Sequence, residues 1–307
     1  MGTFSGKLGA TRGVKKRIEI SGTKSVFGRL TLSFLFFASF AFFAVSSSAQ
    51  DIDDLSVALR SGTSEQKRDS LFQIRNLRSE IASREAIVSL TDKDEIIRAN
   101  AASAVIYLPA SEAVQVLIPL LSDKQPFVRK EAAYALGKVR EKSATPALLR
   151  LLDREKDLEV KSSFVIAMGE IGDISAVETL NSLLNDRPKE DTEFVRRSAA
   201  RSIGQIAQIV KTGDGYIVTP QNFLPDKFKD GEARDITKEF PVFSAAAVKL
   251  GQVLKNKNEA DDTRREAAFA LGAIGSRSSI YLLETHQNSS DAYLAEIAKE
   301  ALLKITK

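Results

Sequence analysis

The segment VRKEAAYALGKVR, residues 128–140, recurs along this chain in a way that decides the fold. Four other segments follow the same pattern: IRANAASAVIYLP from Ile97, VKSSFVIAMGEIG from Val160, VRRSAARSIGQIA from Val195 and TRREAAFALGAIG from Thr263. Recurrence at a regular spacing is typical of repeat proteins, in which each unit buries its apolar face against the next. The pattern therefore predicts an array of helical repeats.

The repeat length can be measured on the basic residue of the motif. Lys67, Arg98 and Arg129 follow one another at intervals of 31 residues. An upstream leucine marker keeps the same period, but the step from Arg196 to the next such marker, Leu254, is 58 residues instead of 23. Roughly one repeat length is therefore inserted between these two positions.

Helical periodicity explains the residue types within the motif. Val128, Ala132, Ala135 and Leu136 fall on one stripe about 100° wide when residues are placed at 100° intervals. This stripe is predicted to be the buried face, and its small alanines allow neighbouring helices to approach closely.

Glycines recur toward the end of the second helix in four repeats. A missing Cβ permits close backbone contact, and a following glycine can end a helix in the left-handed conformation. A phosphate-binding loop is not indicated, since no G-x-G-x-x-G follows a strand. The recurring positions are Gly137, Gly169, Gly204 and Gly272, and the predicted helix ends are Gly172 and Gly275.

These motifs resemble HEAT repeats, of the short subtype shared with phycobilin lyases, and the resemblance covers residues 51–307. It implies an all-α fold, a right-handed α-solenoid of about seven HEAT-like helix pairs with one long insertion. First helices are then expected on the convex side, and second helices along a concave binding surface.

The same resemblance implies ion pairs between an aspartate in the turn and the arginine of the second helix. Asp92 and Asp123 lie six residues before Arg98 and Arg129, as this pairing requires. The acidic residues of later repeats depart from this pattern in residue type or in offset, so the ladder is expected only in part. Those residues are Glu155, Asp191 and Asp261.

The N-terminal segment, residues 1–49, has the pattern of a signal peptide. Seven basic residues accompany the apolar run at 30–45, and the small residues of SSSAQ follow it. The run is short for a bilayer span, but an uncleaved membrane anchor formed by 30–45 is the alternative. The sequence thus predicts an exported protein of the periplasm or cell envelope, with membrane contact only through this segment if it is uncleaved.

Charge and cysteine content exclude several functional classes. The whole chain carries a net charge of +4, but residues 1–49 hold seven of the 44 basic residues and one of the 40 acidic residues. The remainder is slightly acidic and the chain has no tryptophan, so we expect no binding to nucleic acid. The absence of cysteine excludes thiolate nucleophiles and cysteine-ligated zinc.

Catalytic constellations are not evident in the sequence. His286 is the only histidine, whereas deoxyhypusine hydroxylases, metal enzymes built from HEAT repeats, depend on several His-Glu pairs. No isolated carboxylate pair suggests acid-base chemistry. The sequence therefore predicts a protein without enzymatic activity, catalytic residues, metal or cofactor.

The face opposite the buried stripe is the predicted binding surface. It presents large apolar side chains in several repeats and arginines in others, and aromatic residues are enriched in interface cores. Packing between neighbouring helices is the alternative explanation for the apolar side chains. The candidate protein-binding residues on this face are Tyr107, Tyr134, Ile166 and Phe269.

The insertion at 211–239 is a second candidate surface. It is rich in glycine, proline and aspartate, lacks the helical period, and contains Tyr216 and Phe223, which could dock on the solenoid. A tolerated insertion without such a role is the alternative.

The function predicted from these observations is a non-catalytic exported scaffold. It would bind a protein or peptide partner through the concave surface of its second helices. Two alternatives remain: a bilin lyase-like protein that handles a chromophore, and a self-assembling structural element.

Overall fold

A computed structural model describes residues 51–185, 187–213 and 234–306 of the chain. Among these residues the regular structure is entirely helical. The α-helices are α1 (residues 51–61), α2 (Ser64–Leu77), α3 (Glu80–Glu85), α4 (Glu95–Ala104), α5 (Ala110–Leu117), α6 (Pro126–Val139), α7 (Thr145–Leu152), α8 (Leu158–Ile171), α9 (Val177–Ser182), α10 (Glu193–Thr212), α11 (Val242–Lys255), α12 (Asp261–Ile274), α13 (Ile280–Glu284) and α14 (Ala292–Thr306).

The helices are arranged in successive pairs, each with an odd-numbered first helix and an even-numbered second helix. Every second helix packs against the second helix of the next pair, from α2 through α14. This succession continues from α10 to α12, on either side of the long insertion. The described residues thus form seven helix pairs, which confirms the predicted α-solenoid.

Local sequence explains where the second helices begin and end. In α8, the side chain of Asp157 accepts hydrogen bonds from the backbone N–H groups of Glu159 and Val160, at 2.9 and 3.2 Å. The helix ends at Gly172, which has a φ of 75°. Gly275 ends α12 in the same left-handed conformation, so both predicted helix ends are confirmed.

The stripe predicted from helical phase is buried. Val128, Ala132, Ala135 and Leu136 of α6 are all inaccessible to solvent. The corresponding faces of the other second helices join them in one continuous core that runs through the described repeats. The hydrophobic period of the motif therefore orients each helix correctly.

The recurring glycines lie where consecutive second helices approach most closely. A Cβ on Gly204 of α10 would lie 2.9 Å from Cα of Ala270 in α12. A Cβ on Gly272 would lie 2.7 Å from both Cα and Cβ of Ala301 in α14. These distances are too short for a normal carbon contact, so the predicted role of these glycines in close packing is confirmed.

Replacing Gly272 with alanine is expected to destabilise the fold by about 1–3 kcal/mol, because a methyl group would force apart the backbones of α12 and α14. Gly251→Ala is the matched control: its Cβ would lie 3.4 Å from Leu282, an ordinary contact. Alanine in that helix should stabilise by about 0.5–1 kcal/mol. Urea unfolding followed by circular dichroism measures both changes. Equal effects in the two variants would contradict the close-packing role.

Ion pairs along the loops connect several of the repeats to the next one. Lys67 contacts Asp92 at 2.6 Å, and Arg98 contacts the two carboxylate oxygens of Asp123 at 2.8 and 2.9 Å. The acidic partner therefore belongs to the following repeat, not to the turn six residues earlier. Asp92 contacts Arg98 through its backbone carbonyl oxygen, which accepts a hydrogen bond from Nη1 of Arg98 at 2.8 Å.

Two glutamates extend this ladder beyond the predicted aspartates. Glu155 binds Arg129 with both carboxylate oxygens, at 2.7 and 2.9 Å. Glu259 binds Arg196 across the insertion, with 2.9 Å between Nε and Oε1. We call these pairs, from Lys67–Asp92 to Arg196–Glu259, the loop ladder.

The C-terminal end of the insertion returns to the core. Ile236 is fully buried, and its N–H donates to the carbonyl oxygen of Ile274 at 3.3 Å. Asp235 accepts hydrogen bonds from the N–H groups of Thr237 and Arg277, at 2.9 and 3.3 Å. These contacts attach the chain to the end of α12 before α11 begins.

The predicted leader at 1–49 lies outside the described residues, as does 214–233 within the insertion. Among the helices that are described, none combines the length and apolar character needed to cross a bilayer. Export and cleavage of the leader, like the boundaries assigned to the insertion, stay predictions.

Candidate functional site

A groove of about 520 Å³ lies on the surface formed by four consecutive second helices, α8, α10, α12 and α14. Its volume is in the range of sites for small molecules and cofactors. We call it the second-helix groove. Its walls are formed by Ile166, Phe194, Arg197, Ser198, Arg201, Gln205, Asp262, Arg265, Glu266, Phe269, Tyr293 and Ile297.

Aromatic rings form much of the groove lining. The Phe269 ring is 7% exposed and lies against α10 at Gly204, where a Cβ would come within 2.6 Å of it. Phe194 and Tyr293 are exposed, with Tyr293 at 73%. Gly204 therefore provides the space for one ring, while the other two are accessible to a ligand.

Three arginines lie among these rings. The guanidinium of Arg197 is centred 4.9 Å from the ring centroid of Phe194, and that of Arg265 is 5.2 Å from Tyr293. A guanidinium at this distance is attracted to the face of the ring, and its N–H groups can still donate hydrogen bonds. Arg201 completes the set, with 52% of its side chain exposed.

Carboxylates of the next repeats neutralise part of this charge. Arg197 contacts Asp262 at 2.9 Å, and Arg201 contacts Glu266 at 2.9 Å. Arg265 contacts both Asp262, at 2.6 Å, and Asp291, at 2.9 Å. Hydrogen bonds from Arg265 lower the pKa of Asp291 despite the partial burial of this carboxylate.

The groove can therefore bind a flat, conjugated anion. Its rings offer stacking surface and its arginines offer donors to carboxylates. Four carboxylates contact these three arginines, so each arginine is already paired within the chain; they are Asp262, Glu266, Asp291 and Glu193.

Two of the predicted binding residues come together in this groove, Ile166 of α8 and Phe269 of α12. Tyr134 is also exposed on a second helix, where Lys138 lies 5.1 Å from its ring, but it does not line the groove. Tyr107 is half-buried in the short 3-10 turn after α4. Protein binding by the four residues stays a prediction.

Tyr216 and Phe223, the candidates in the insertion, lie outside the described residues. Sequence reasoning also missed the groove arginines as binding residues. Their common signal is position. Arg201 occupies the motif position that carries the candidates Tyr134, Ile166 and Phe269 in other repeats, and Arg197 and Arg265 occupy the position four residues before it.

The donor set for a metal centre is not present in the part of the chain that the structure describes. No group of three His, Cys, Asp or Glu side chains there could hold a metal ion. The ring Nδ1 of His286 lies 2.8 Å from the backbone carbonyl oxygen of Leu282. These residues do not fit the metal site of a hydroxylase.

Comparison with protein families supports the repeat assignment. A family model described as HEAT repeats matches residues 84–169, and one described as PBS lyase HEAT-like repeat matches residues 263–288. A crystal structure of an engineered protein, 22% identical, aligns with a TM-score of 0.50 over 83% of this chain and 68% of that chain. This likeness shows the fold alone.

Two curated proteins are informative relatives. Deoxyhypusine hydroxylase-B of Oryza sativa subsp. japonica is 26% identical over 261 residues, which cover 76% of this chain and 84% of that protein. Bilin biosynthesis protein PecE of Nostoc sp. (strain PCC 7120) is 24% identical over 181 residues, which cover 57% of this chain and 67% of that protein.

These relatives contradict the prediction of a non-catalytic scaffold. The hydroxylase is an enzyme, and its similarity extends over most of both chains. The predictions of no enzymatic activity and of a scaffold function were therefore wrong. They rested on the lack of histidine and cysteine constellations, but a site that binds and orients a reactive ligand requires neither.

Proposed function

The chain is a HEAT-repeat protein, and we propose that it handles a linear tetrapyrrole, or bilin, as bilin lyase-like proteins do. The observation that carries this proposal is the second-helix groove, which combines three arginines with three aromatic rings. The similarity to a bilin biosynthesis protein and the match to a PBS lyase HEAT-like repeat support it.

The chemistry of a bilin fits the groove. A bilin is a flexible row of four conjugated rings that carries two propionate side chains. Phe194 and Tyr293 supply exposed surfaces on which conjugated rings can stack, and the buried Phe269 forms part of the apolar wall. The guanidinium groups of the groove supply the charge-assisted hydrogen bonds that propionates prefer.

The chain's own residues would bind and orient the chromophore rather than react with it covalently through sulfur. The sequence contains no cysteine, so a thiol that attacks the chromophore would have to come from an acceptor protein. Binding in a fixed conformation favours such an attack by positioning the reacting atoms. The protein partner in this proposal is therefore the acceptor of the chromophore.

Metal-dependent hydroxylation is a weaker candidate despite the relative with that activity. The single histidine and the absence of a three-donor cluster among the described residues do not provide the required ligands. Export by residues 1–49 and a location in the periplasm or cell envelope stay separate proposals.

A titration of the full chain with biliverdin, a linear tetrapyrrole, tests the proposed function. We expect saturable binding, with a shifted visible absorption band and induced circular dichroism, because a twisted bilin held in one conformation becomes optically active. Incubation with a thiol-bearing acceptor then tests transfer, which would leave covalent colour on the acceptor. A titration without saturable binding would refute the proposal.

Replacing Tyr293 with alanine is expected to weaken bilin binding by about fivefold, because an exposed ring of the groove is lost. Tyr281→Ala is the matched control. Tyr281 is 78% exposed on α13 but does not line the groove. Both dissociation constants follow from absorbance titration. Equal losses in the two variants would place binding elsewhere.

A further inference from the structure

The carboxylates of the groove accept hydrogen bonds from the arginine donors that an acidic ligand would use. Glu266 accepts a hydrogen bond from Nη1 of Arg201 at 2.9 Å. Asp262 lies between two arginines, with one carboxylate oxygen 2.9 Å from Arg197 and the other 2.6 Å from Arg265. The groove is thus arranged around two internal carboxylates.

The Arg201–Glu266 contact is well suited to exchange. It uses one nitrogen of a guanidinium that has five N–H donors, and about half of the arginine side chain is in solvent. Ion pairs of this kind contribute little to stability, so a competing carboxylate can replace one at low cost.

The loop ladder shows what a fixed pair looks like in the same protein. Arg196 and Glu259 are almost completely buried and are joined by two hydrogen bonds. The groove pairs have the same chemistry, but they face the cavity and are partly exposed. Their exposure makes their arginines accessible to a ligand carboxylate, as those of the loop ladder are not.

We propose that Glu266 and Asp262 are internal stand-ins for the two carboxylates of the ligand, so that the groove selects dicarboxylate tetrapyrroles over neutral ones. One ligand carboxylate replaces Glu266 at Arg201, and the other replaces Asp262 at Arg197 and Arg265. This inference rests on the proposed function and defines the ligand class of the same groove.

Titration of the full chain with biliverdin and with its dimethyl ester tests the selection. The diacid is expected to bind about tenfold more tightly than the ester, since the ester cannot form charge-assisted hydrogen bonds. Arg201→Gln should reduce the affinity for the diacid about tenfold and leave the affinity for the ester unchanged.

Glu266→Gln gives the more specific result, because removing a competitor should increase affinity. We expect the diacid to bind about threefold to tenfold more tightly and the ester to bind as before. Asp262→Asn should act in the same direction and serves as a second variant if Glu266→Gln does not fold. Glu112→Gln is the control, since it removes a carboxylate from an ion pair with Arg84 outside the groove.

Failure of the carboxylate exchange can be distinguished from failure of the proposed function. Equal binding of diacid and ester, or weaker diacid binding by both Glu266→Gln and Asp262→Asn, would overturn the exchange of carboxylates and leave the tetrapyrrole proposal intact. Unchanged diacid affinity in both variants would also overturn the exchange of carboxylates and leave the tetrapyrrole proposal intact. Failure of both compounds to bind the wild-type chain would refute the proposed function together with this inference.

Discussion

Replacing Arg196 with methionine is expected to destabilise the protein by about 3–5 kcal/mol, the cost of leaving a buried charge without its partner. The side chains of Arg196 and Glu259 are 3% and 1% exposed. Two hydrogen bonds join them, so the change leaves the Glu259 carboxylate buried and without its arginine.

Because of where this ion pair lies, its removal should affect the whole solenoid. Glu259 follows Arg196 by 63 residues, whereas Asp123 follows Arg98 by 25. The pair therefore closes the junction between α10 and the repeats after the insertion. Since a solenoid is stabilised mainly by contacts between neighbouring repeats, we expect α11 to α14 to unfold earlier in the variant.

Urea unfolding of the full chain, followed by circular dichroism, measures the loss. The double variant with methionine at both positions should recover much of the stability, because no buried charge remains. Arg60→Met is the control: its pair with Glu85 is largely exposed and should contribute about 1 kcal/mol or less. If Arg196→Met costs no more than this control, the buried pair does not hold the junction.

The fold could be predicted from sequence because its determinants are local and periodic. The apolar stripe of α6 and the left-handed end at Gly172 each depend on residues within one or two helical turns. Repetition then showed which positions matter, since five copies carry the same residue types.

The ladder could be predicted only in part, because its partners lie in different repeats. Glu155 replaces an aspartate, and the insertion moves Glu259 away from the spacing set by the first repeats. A search at fixed offsets within one repeat therefore could not find the contact between Arg196 and Glu259.

The groove was missed for a related reason. Apolar side chains were selected because they are unusual on a solvent-facing helix, whereas arginines there are common. What distinguishes Arg197 is its position over Phe194 and opposite Asp262, which follows 65 residues later. That arrangement depends on how neighbouring repeats stack across the insertion, and one motif alone does not specify it.

Acidification is the second change with a large expected effect, because it acts on several ladder carboxylates together. Burial raises the pKa of Asp92, Asp123 and Glu155, but the hydrogen bonds and ion pairs that each accepts outweigh burial, so all three values are lowered. Their ordinary values are 3.8 for the two aspartates and 4.5 for the glutamate.

The direction of the effect follows from this lowering. The folded state binds protons less readily than the unfolded state, so each carboxylate contributes its full stabilisation above its ordinary pKa and loses it as the pH falls through the folded value. We therefore expect these three carboxylates to cause little change in the free energy of unfolding between about pH 5 and 8. Below about pH 4.5 the free energy of unfolding should fall steeply.

Urea midpoints measured at several pH values from 7 to 2 test this expectation. Asp123→Asn should be less stable than the wild type at pH 7, and the difference should shrink on acidification, because protonation removes the same charge from the wild type. Asp153→Asn, which changes an exposed residue outside the ladder, should follow the wild-type curve. A gap between Asp123→Asn and the wild type that stays constant down to pH 2 would show that the ladder charge does not govern acid stability.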